Sequence, residues 1–436
     1  MQVKKIVLAL LAAGLSAGFL TSAHAADADR IKALEDQLQA LQKAIAELKA
    51  TAPTKKEVSD LTDQVTLQGK EAVVLGDMSN SIRMPGSETS LRVYGYAEAN
   101  LIKDFKATAP GDMFTNVMEQ PLNGFGADQG KTALTAQTSR FGFETSTPTA
   151  LGAFHTVVEG DFYAYCGSEC NRNRFRLRHA YGEYAGWTVG QTWSTFMDLD
   201  DGPETADFNG PIGQPFSRPV QVRYTYALPT GETFKAALEN PTDGAHRPNL
   251  VLSAAKSFDD GAISARFISM EQRSGSLSKS GIGYGFGGSY KITGELTAMG
   301  QWAKVDGDGD NALMMGANYP TSDVTTGALL LDKSTGYVLG LTNVFNSKWR
   351  ATFAYGHVSS AANSDYVAGN GLSGNKTLSQ WHLNFFYNPI KNVDLGAEYI
   401  MGKRTTFGPV KSTDGKVSSS VGDMSRVDLI ARYSFN

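Results

Sequence analysis

Arg172, Arg174, Arg176 and Arg178 recur at every second position, with Phe175 and Leu177 between them. In an extended chain that period places the guanidinium groups on one face and the apolar residues on the other. Tyr181 falls on the apolar parity. Guanidinium stays charged and presents a planar fork suited to carboxylate or phosphate. Arg140 and Arg223 stand in the same relation to apolar neighbours. Two readings stay open. The ladder is a positive track for anions, or its members pair with acids such as Glu144, Glu159 and Asp161.

A second charged group has the opposite sign. Asp198, Asp200, Asp201, Glu204 and Asp207 crowd a segment rich in turn formers, Gly202-Pro203, Gly210-Pro211 and Gly213. Cys166 and Cys170 are the only cysteines, and in an exported chain their closeness predicts a disulfide closing a small loop. Zinc would need two more ligands, and only His155 and His179 are near. Gly283, Gly285 and Gly288 match a dinucleotide fingerprint but sit in a strand pattern with no helix after it. Asp306, Asp308 and Asp310 begin like a calcium loop, yet Asn311 and Ala317 occupy its glycine and glutamate positions. No catalytic constellation stands out, so the reading is not an enzyme, with no cofactor and no metal.

These residues need elements to position them. Lys4 and Lys5, the apolar run to Leu20 and Ala23-His24-Ala25 read as a cleaved signal peptide, residues 1–25. Its removal moves the formal charge from −4 to −6. That balance argues against a nucleic-acid partner. Beyond it, no stretch approaches the roughly 20 apolar residues of a membrane-spanning helix. Ile31, Leu34, Leu38, Leu41, Ile45 and Leu48 follow at alternating spacings of three and four, an a/d seam that predicts an oligomerising coiled coil ended near Pro53. The coil and its linker occupy residues 26–70.

From Leu91 the period changes to two. Phe154/Thr156/Val158/Gly160/Phe162 and Val220/Val222/Tyr224/Tyr226 form apolar faces, with polar residues interleaved. Candidate strands begin near residues 91, 132, 152, 173, 187, 218, 232, 248, 261, 280, 294, 336, 348, 378, 393 and 425. Their links alternate between short turns, such as Ala185-Gly186 and Asn346-Ser347, and longer loops, near 106–131, 165–172, 197–217, 241–247, 272–279, 305–335, 359–377 and 405–424. An even strand count with short turns on one side and long loops on the other is the layout of an outer-membrane barrel. The expected fold is all-β: a 16-stranded antiparallel transmembrane β-barrel over residues 71–436, with an N-terminal periplasmic α-helical coiled coil.

In such a barrel each arginine on the lipid face would cost roughly 2–4 kcal/mol at mid-membrane, so the ladder belongs in the aqueous lumen. The acidic loop follows the fifth strand. Folded inward, it would narrow the pore and set a transverse field against the arginines. Folded outward, it would cover the mouth.

The chain resembles the DcaP-like outer-membrane porins. The resemblance rests on Leu91-Arg-Val-Tyr-Gly-Tyr96, Ser139-Arg-Phe-Gly-Phe-Glu144, Glu159-Gly-Asp-Phe162, Arg176-Leu-Arg-His-Ala-Tyr181 and Gly190-Gln-Thr-Trp193. Pro203 to Pro211, Asn388 to Tyr399 and Gly402-Lys-Arg404 complete it. It implies a homotrimer of barrels in outer-membrane lipid and lipopolysaccharide, passing small anionic solutes with dicarboxylates as typical substrates. Competing readings are a general or cation-preferring porin, or a structural anchor of the outer membrane.

Overall fold

The computed structural model describes residues 27–51, 56, 59–60, 62–63, 74–106, 115–125, 130–164, 174–241, 244–316, 318–412 and 415–435. The leader segment, Arg172 and the Cys166/Cys170 pair lie outside the described residues. The chain divides into two units, residues 1–72 and 73–436. In the first, one helix, α1 (Asp27–Thr51), carries the heptad pattern. Its Leu34, Leu38 and Leu41 are each about three-fifths exposed, so this part of the seam is uncovered. Among the described residues no helix is long and apolar enough to cross a membrane.

The second unit is a closed antiparallel barrel of sixteen strands. They are β1 (Ser90–Lys106), the interrupted β2 (Lys131–Thr135 and Arg140–Thr149), β3 (Gly152–Ala164), β4 (Arg174–Tyr184), β5 (Trp187–Gln191) and β6 (Val220–Ala227). Next come β7 (Glu232–Glu239), β8 (Asn249–Phe258), β9 (Gly261–Ser274), β10 (Leu277–Lys291) and β11 (Leu296–Gly307). The set ends with β12 (Asp332–Asn346), β13 (Trp349–Ser360), β14 (Asn375–Tyr387), β15 (Val393–Lys411) and β16 (Ser418–Phe435). Each strand pairs with its sequence neighbour, and β16 returns to β1, leaving no open edge.

Alternation sets the faces. Val220, Val222, Tyr224 and Tyr226 are exposed on the outside of β6, while Gln221 is buried inside. On β16, Leu429, Tyr433 and Phe435 point out, and Arg426, Asp428 and Ile430 are buried. The turn Ala185-Gly186 holds both residues at positive φ, 49° and 85°, the pair of conformations that matches a two-residue hairpin to strand twist.

Closure is stapled by charge. Arg426 Nε donates to Asp104 Oδ1 at 2.7 Å, with both side chains fully buried. Six residues on, Arg432 bonds Glu98 across the same ladder.

Three expectations change. The link expected as a long loop at 272–279 is a tight turn, because β9 and β10 stay paired out to Ser274 and Leu277. Residues 405–424 are largely strand, since β15 and β16 continue past a register irregularity to Lys411 and Ser418. Tyr181 faces inward. The β3–β4 ladder slips between Glu159/His179 and Gly160/Leu177, and this bulge at Arg178 reverses the parity beyond it. Tyr181 then lines an inner cavity beside Arg223.

Candidate functional site

Residues 192–219 connect β5 to β6 and fold into the barrel. The root is tied to β7, where Glu239 accepts from Ser194 Oγ at 2.7 Å and Thr195 N at 2.6 Å. The middle crosses to β15, where Glu398 accepts from the amides of Ala206 and Asp207, each at 3.0 Å. The return is held on β14 by Ile212 N donating to Gln380 Oε1 at 3.0 Å. Phe196 and Ile212 are buried against wall residues such as Ile268, Val305 and Val358.

The wall makes room with glycines. A Cβ added at Gly287 would lie 2.6 Å from Asp198 Oδ2 and 2.8 Å from Asp201 Oδ2. One at Gly340 would lie 2.6 Å from Pro203 Cβ, and one at Gly336 would lie 2.5 Å from Gly213 O. Gly356 faces the Ile212 carbonyl at still closer range. On β10 it is Gly287 that seats the loop, while Gly283 and Gly285 lie against Ile268, Val305 and Ala303 of the neighbouring strands.

The loop acids are engaged mainly by other parts of the wall than the arginine ladder. Asp198 accepts from Ser264 Oγ on β9. Glu204 holds Arg350 of β13 through two bonds of 2.8 Å, and Asp394 takes the same guanidinium at 2.8 Å. Asp207 accepts from Thr115 N at 3.1 Å and from Asn209 N at 2.7 Å. Burial raises the pKa of its carboxyl. Asp201 is buried too, and its pKa is pushed up to about 7, first by burial and then by its hydrogen bond to Asp198 and that neighbour's charge. Asp200 is exposed.

Opposite lies the arginine wall of β2, β3 and β4. Arg176 grips Asp161 in a fork, Nε at 2.9 Å and Nη2 at 2.7 Å. Arg178 bridges Glu159 and Asp161, each at 3.0 Å. Arg140 reaches Glu159 at 3.3 Å. Arg223 on β6 stands 3.7 Å from Glu183, and Arg174 is exposed at the start of β4. Arg140, Arg176 and Arg178 are thus ion-paired with Glu159 and Asp161, with Arg178 almost fully buried, whereas Glu144 pairs with Arg92 at 2.8 Å instead of with the ladder.

Arg218 is the member that strand parity missed, because it lies in the loop's return, outside any strand. Its guanidinium rests 4.4 Å over the Trp193 ring, and its Nη1 is buried without a hydrogen-bond partner. Its electrostatic neighbours are Arg178, Arg176, Asp161 and Arg140. Four guanidinium groups here share two carboxylates, Glu159 and Asp161. The loop offers this wall Phe208, which stacks on Tyr163 and lies 5.3 Å from the Arg178 guanidinium. Among the described residues no group of three or more His, Cys, Asp or Glu is placed to hold a metal ion.

Comparison with solved structures places this geometry among channels. The outer membrane channel DcaP of Acinetobacter baumannii is 27% identical, with a TM-score of 0.71 over 83% of this chain and 100% of that one. The trimer form of OmpT from Vibrio cholerae is 16% identical, with a TM-score of 0.53 over 80% of this chain and 99% of that one. An anion-selective porin from Comamonas acidovorans is 15% identical, with a TM-score of 0.54 over 80% of this chain and 100% of that one. The last two likenesses are of fold alone. No curated protein matches the sequence. A family model, the DcaP outer membrane protein, matches residues 23–435, and the chain belongs to that family.

Proposed function

We propose that this outer-membrane porin passes small solutes by passive diffusion and prefers anions, dicarboxylates among them. The observation that carries the reading is the excess of positive charge at the arginine wall. Glu159 and Asp161 neutralise two of four guanidinium groups, and Arg218 is held by an aromatic ring instead of an acid. A lumen wall with surplus fixed charge attracts counter-ions and excludes ions of its own sign. The fork geometry of arginine suits a carboxylate at either end of a small diacid. The anion-selective porin of similar fold is in keeping with this reading.

The assembly we propose is a homotrimer in outer-membrane lipid and lipopolysaccharide, with the helix Asp27–Thr51 on the periplasmic side as a coil between copies. The trimer form of a similar fold supports the oligomer, and the exposed Leu34, Leu38 and Leu41 support the coil. Residues 71–436 form the porin domain, 26–70 the coil and linker, and 1–25 the removed leader. The disulfide Cys166–Cys170 belongs to the same proposal.

Reversal potential across a salt gradient in planar bilayers tests the selectivity. Anion preference is expected, and Arg218→Ala combined with Arg140→Ala should reduce it. Cation preference in the unsubstituted protein would refute the reading. Absence of conductance would favour a structural anchor.

A further inference from the structure

The lumen holds a second charged recess at the root of the loop. Its volume is about 340 Å3, and it lies between the loop root and β6–β9. That is near the lower end of ligand-sized cavities, which run from roughly 300 to 1,000 Å3. Its lining carries charges of both signs. Arg223 and Lys235 come from the wall, and Asp198 and Asp200 come from the loop.

Among the described residues these four groups form no ion pair with one another, although Arg223 stands 3.7 Å from Glu183 and Asp198 accepts from Ser264 Oγ. Lys235 and Asp200 make no ion pair with each other or with another group among the described residues. They are nonetheless neighbours, since the charges acting on Lys235 are those of Arg223, Asp200, Asp198 and Glu183. Arg266 also borders the recess; its Nη1 donates to the Phe196 carbonyl and Gln301, its Nε and Nη2 are buried without a hydrogen-bond partner, and the charges acting on it are those of Asp198 and Asp201. The recess thus holds both signs of charge with no ion pair between them among the described residues. A second carboxylate entering here would meet Asp198 and Asp200, so a simple dianion is poorly matched.

We infer that this recess is a station for small zwitterions of the α-amino-acid type. The solute's carboxylate is taken by Lys235 and Arg223, and its ammonium group is taken by Asp200 and Asp198. A dipolar solute aligned along such a transverse field gains at both ends, while a neutral isomer gains at neither. The inference rests on the reading of the barrel as an open channel, and its test separates the two.

Alanine and lactamide are isomers of one composition, and only alanine is a zwitterion at neutral pH. Swelling of liposomes holding the full-length protein gives the rate for each, with propionate as the anionic control. In Asp200→Asn the alanine-to-lactamide ratio should fall at least about threefold while the propionate-to-lactamide ratio rises. In Lys235→Met both ratios should fall. An unchanged alanine ratio in both variants, with lactamide entry intact, overturns the inference, as does an alanine ratio that rises with propionate in Asp200→Asn. If one variant fails to assemble, the other carries the test alone. Failure of the unsubstituted protein to admit lactamide refutes the channel reading itself, and the station falls with it.

Discussion

Phe208 of the lumen loop stacks on Tyr163 of β3, with ring centroids 5.4 Å apart and planes 19° from parallel. The guanidinium groups of Arg178, Arg176 and Arg140 lie 5.3 to 6.0 Å from the same ring. The loop therefore meets the arginine wall with an aromatic face. Such a face attracts the guanidinium groups without neutralising them.

Phe208→Ala should widen the passage and leave its charge in place. Single-channel conductance is expected to rise, with the reversal potential still on the anion side. Unchanged conductance would show that Phe208 does not border the narrow point.

Gly287→Val should disturb the loop without breaking the barrel. Its added carbons would overlap the carboxylates of Asp198 and Asp201. Overpacking of this kind costs about 1–3 kcal/mol. A folded barrel on electrophoresis with altered conductance is the expected result, and Gly294→Val, where nothing crowds the added carbon, is the control. Identical conductance in both would remove the seat from the account.

Asp201 makes the loop's anchoring depend on pH. Its carboxyl in the folded protein titrates near 7, above its ordinary range. The protonated form is the one the fold favours, so its contribution is complete below the ordinary carboxylate range and is lost as pH rises through 7. Open-channel noise should therefore grow between pH 6 and pH 8, and Asp201→Asn should flatten that rise. A flat profile in the unsubstituted protein would contradict the assignment.

Arg426→Ala should weaken barrel closure. It leaves Asp104 buried without the two hydrogen bonds that Arg426 donates, and breaking a buried pair typically costs about 3–5 kcal/mol. The thermal midpoint, followed as the shift from folded to unfolded band, is expected to drop by several degrees. An unchanged midpoint would mean that the other contacts of Asp104 suffice.

Much of this architecture is legible in the chain because lipid imposes a strict rule on every strand. Val220, Val222, Tyr224 and Tyr226 must be apolar to face it, so their period locates β6 without any knowledge of neighbours. The same rule misplaces Tyr181, because a bulge at Arg178 inserts one residue and no local pattern announces it. The loop's path is hidden for a different reason. It is fixed by Glu239, Glu398, Gln380 and the glycines of β10, β12 and β13, partners far away in sequence. Arg218 escapes notice because its partner is a ring, Trp193, rather than an acid.

The two rungs between β16 and β1 also act as a check on alignment. Arg426 faces Asp104 and Arg432 faces Glu98, with the same six-residue interval on both strands. A slip of two residues keeps every side chain on its proper face, so the apolar pattern alone does not forbid it. Such a slip would set Arg432 against Tyr96 or Asn100, and Arg426 against Ile102 or Lys106. Each wrong alignment strands buried charge, and only the native one satisfies both rungs together. The strand that closes the barrel thus carries a two-point key that distinguishes correct alignment from near misses of equal greasiness.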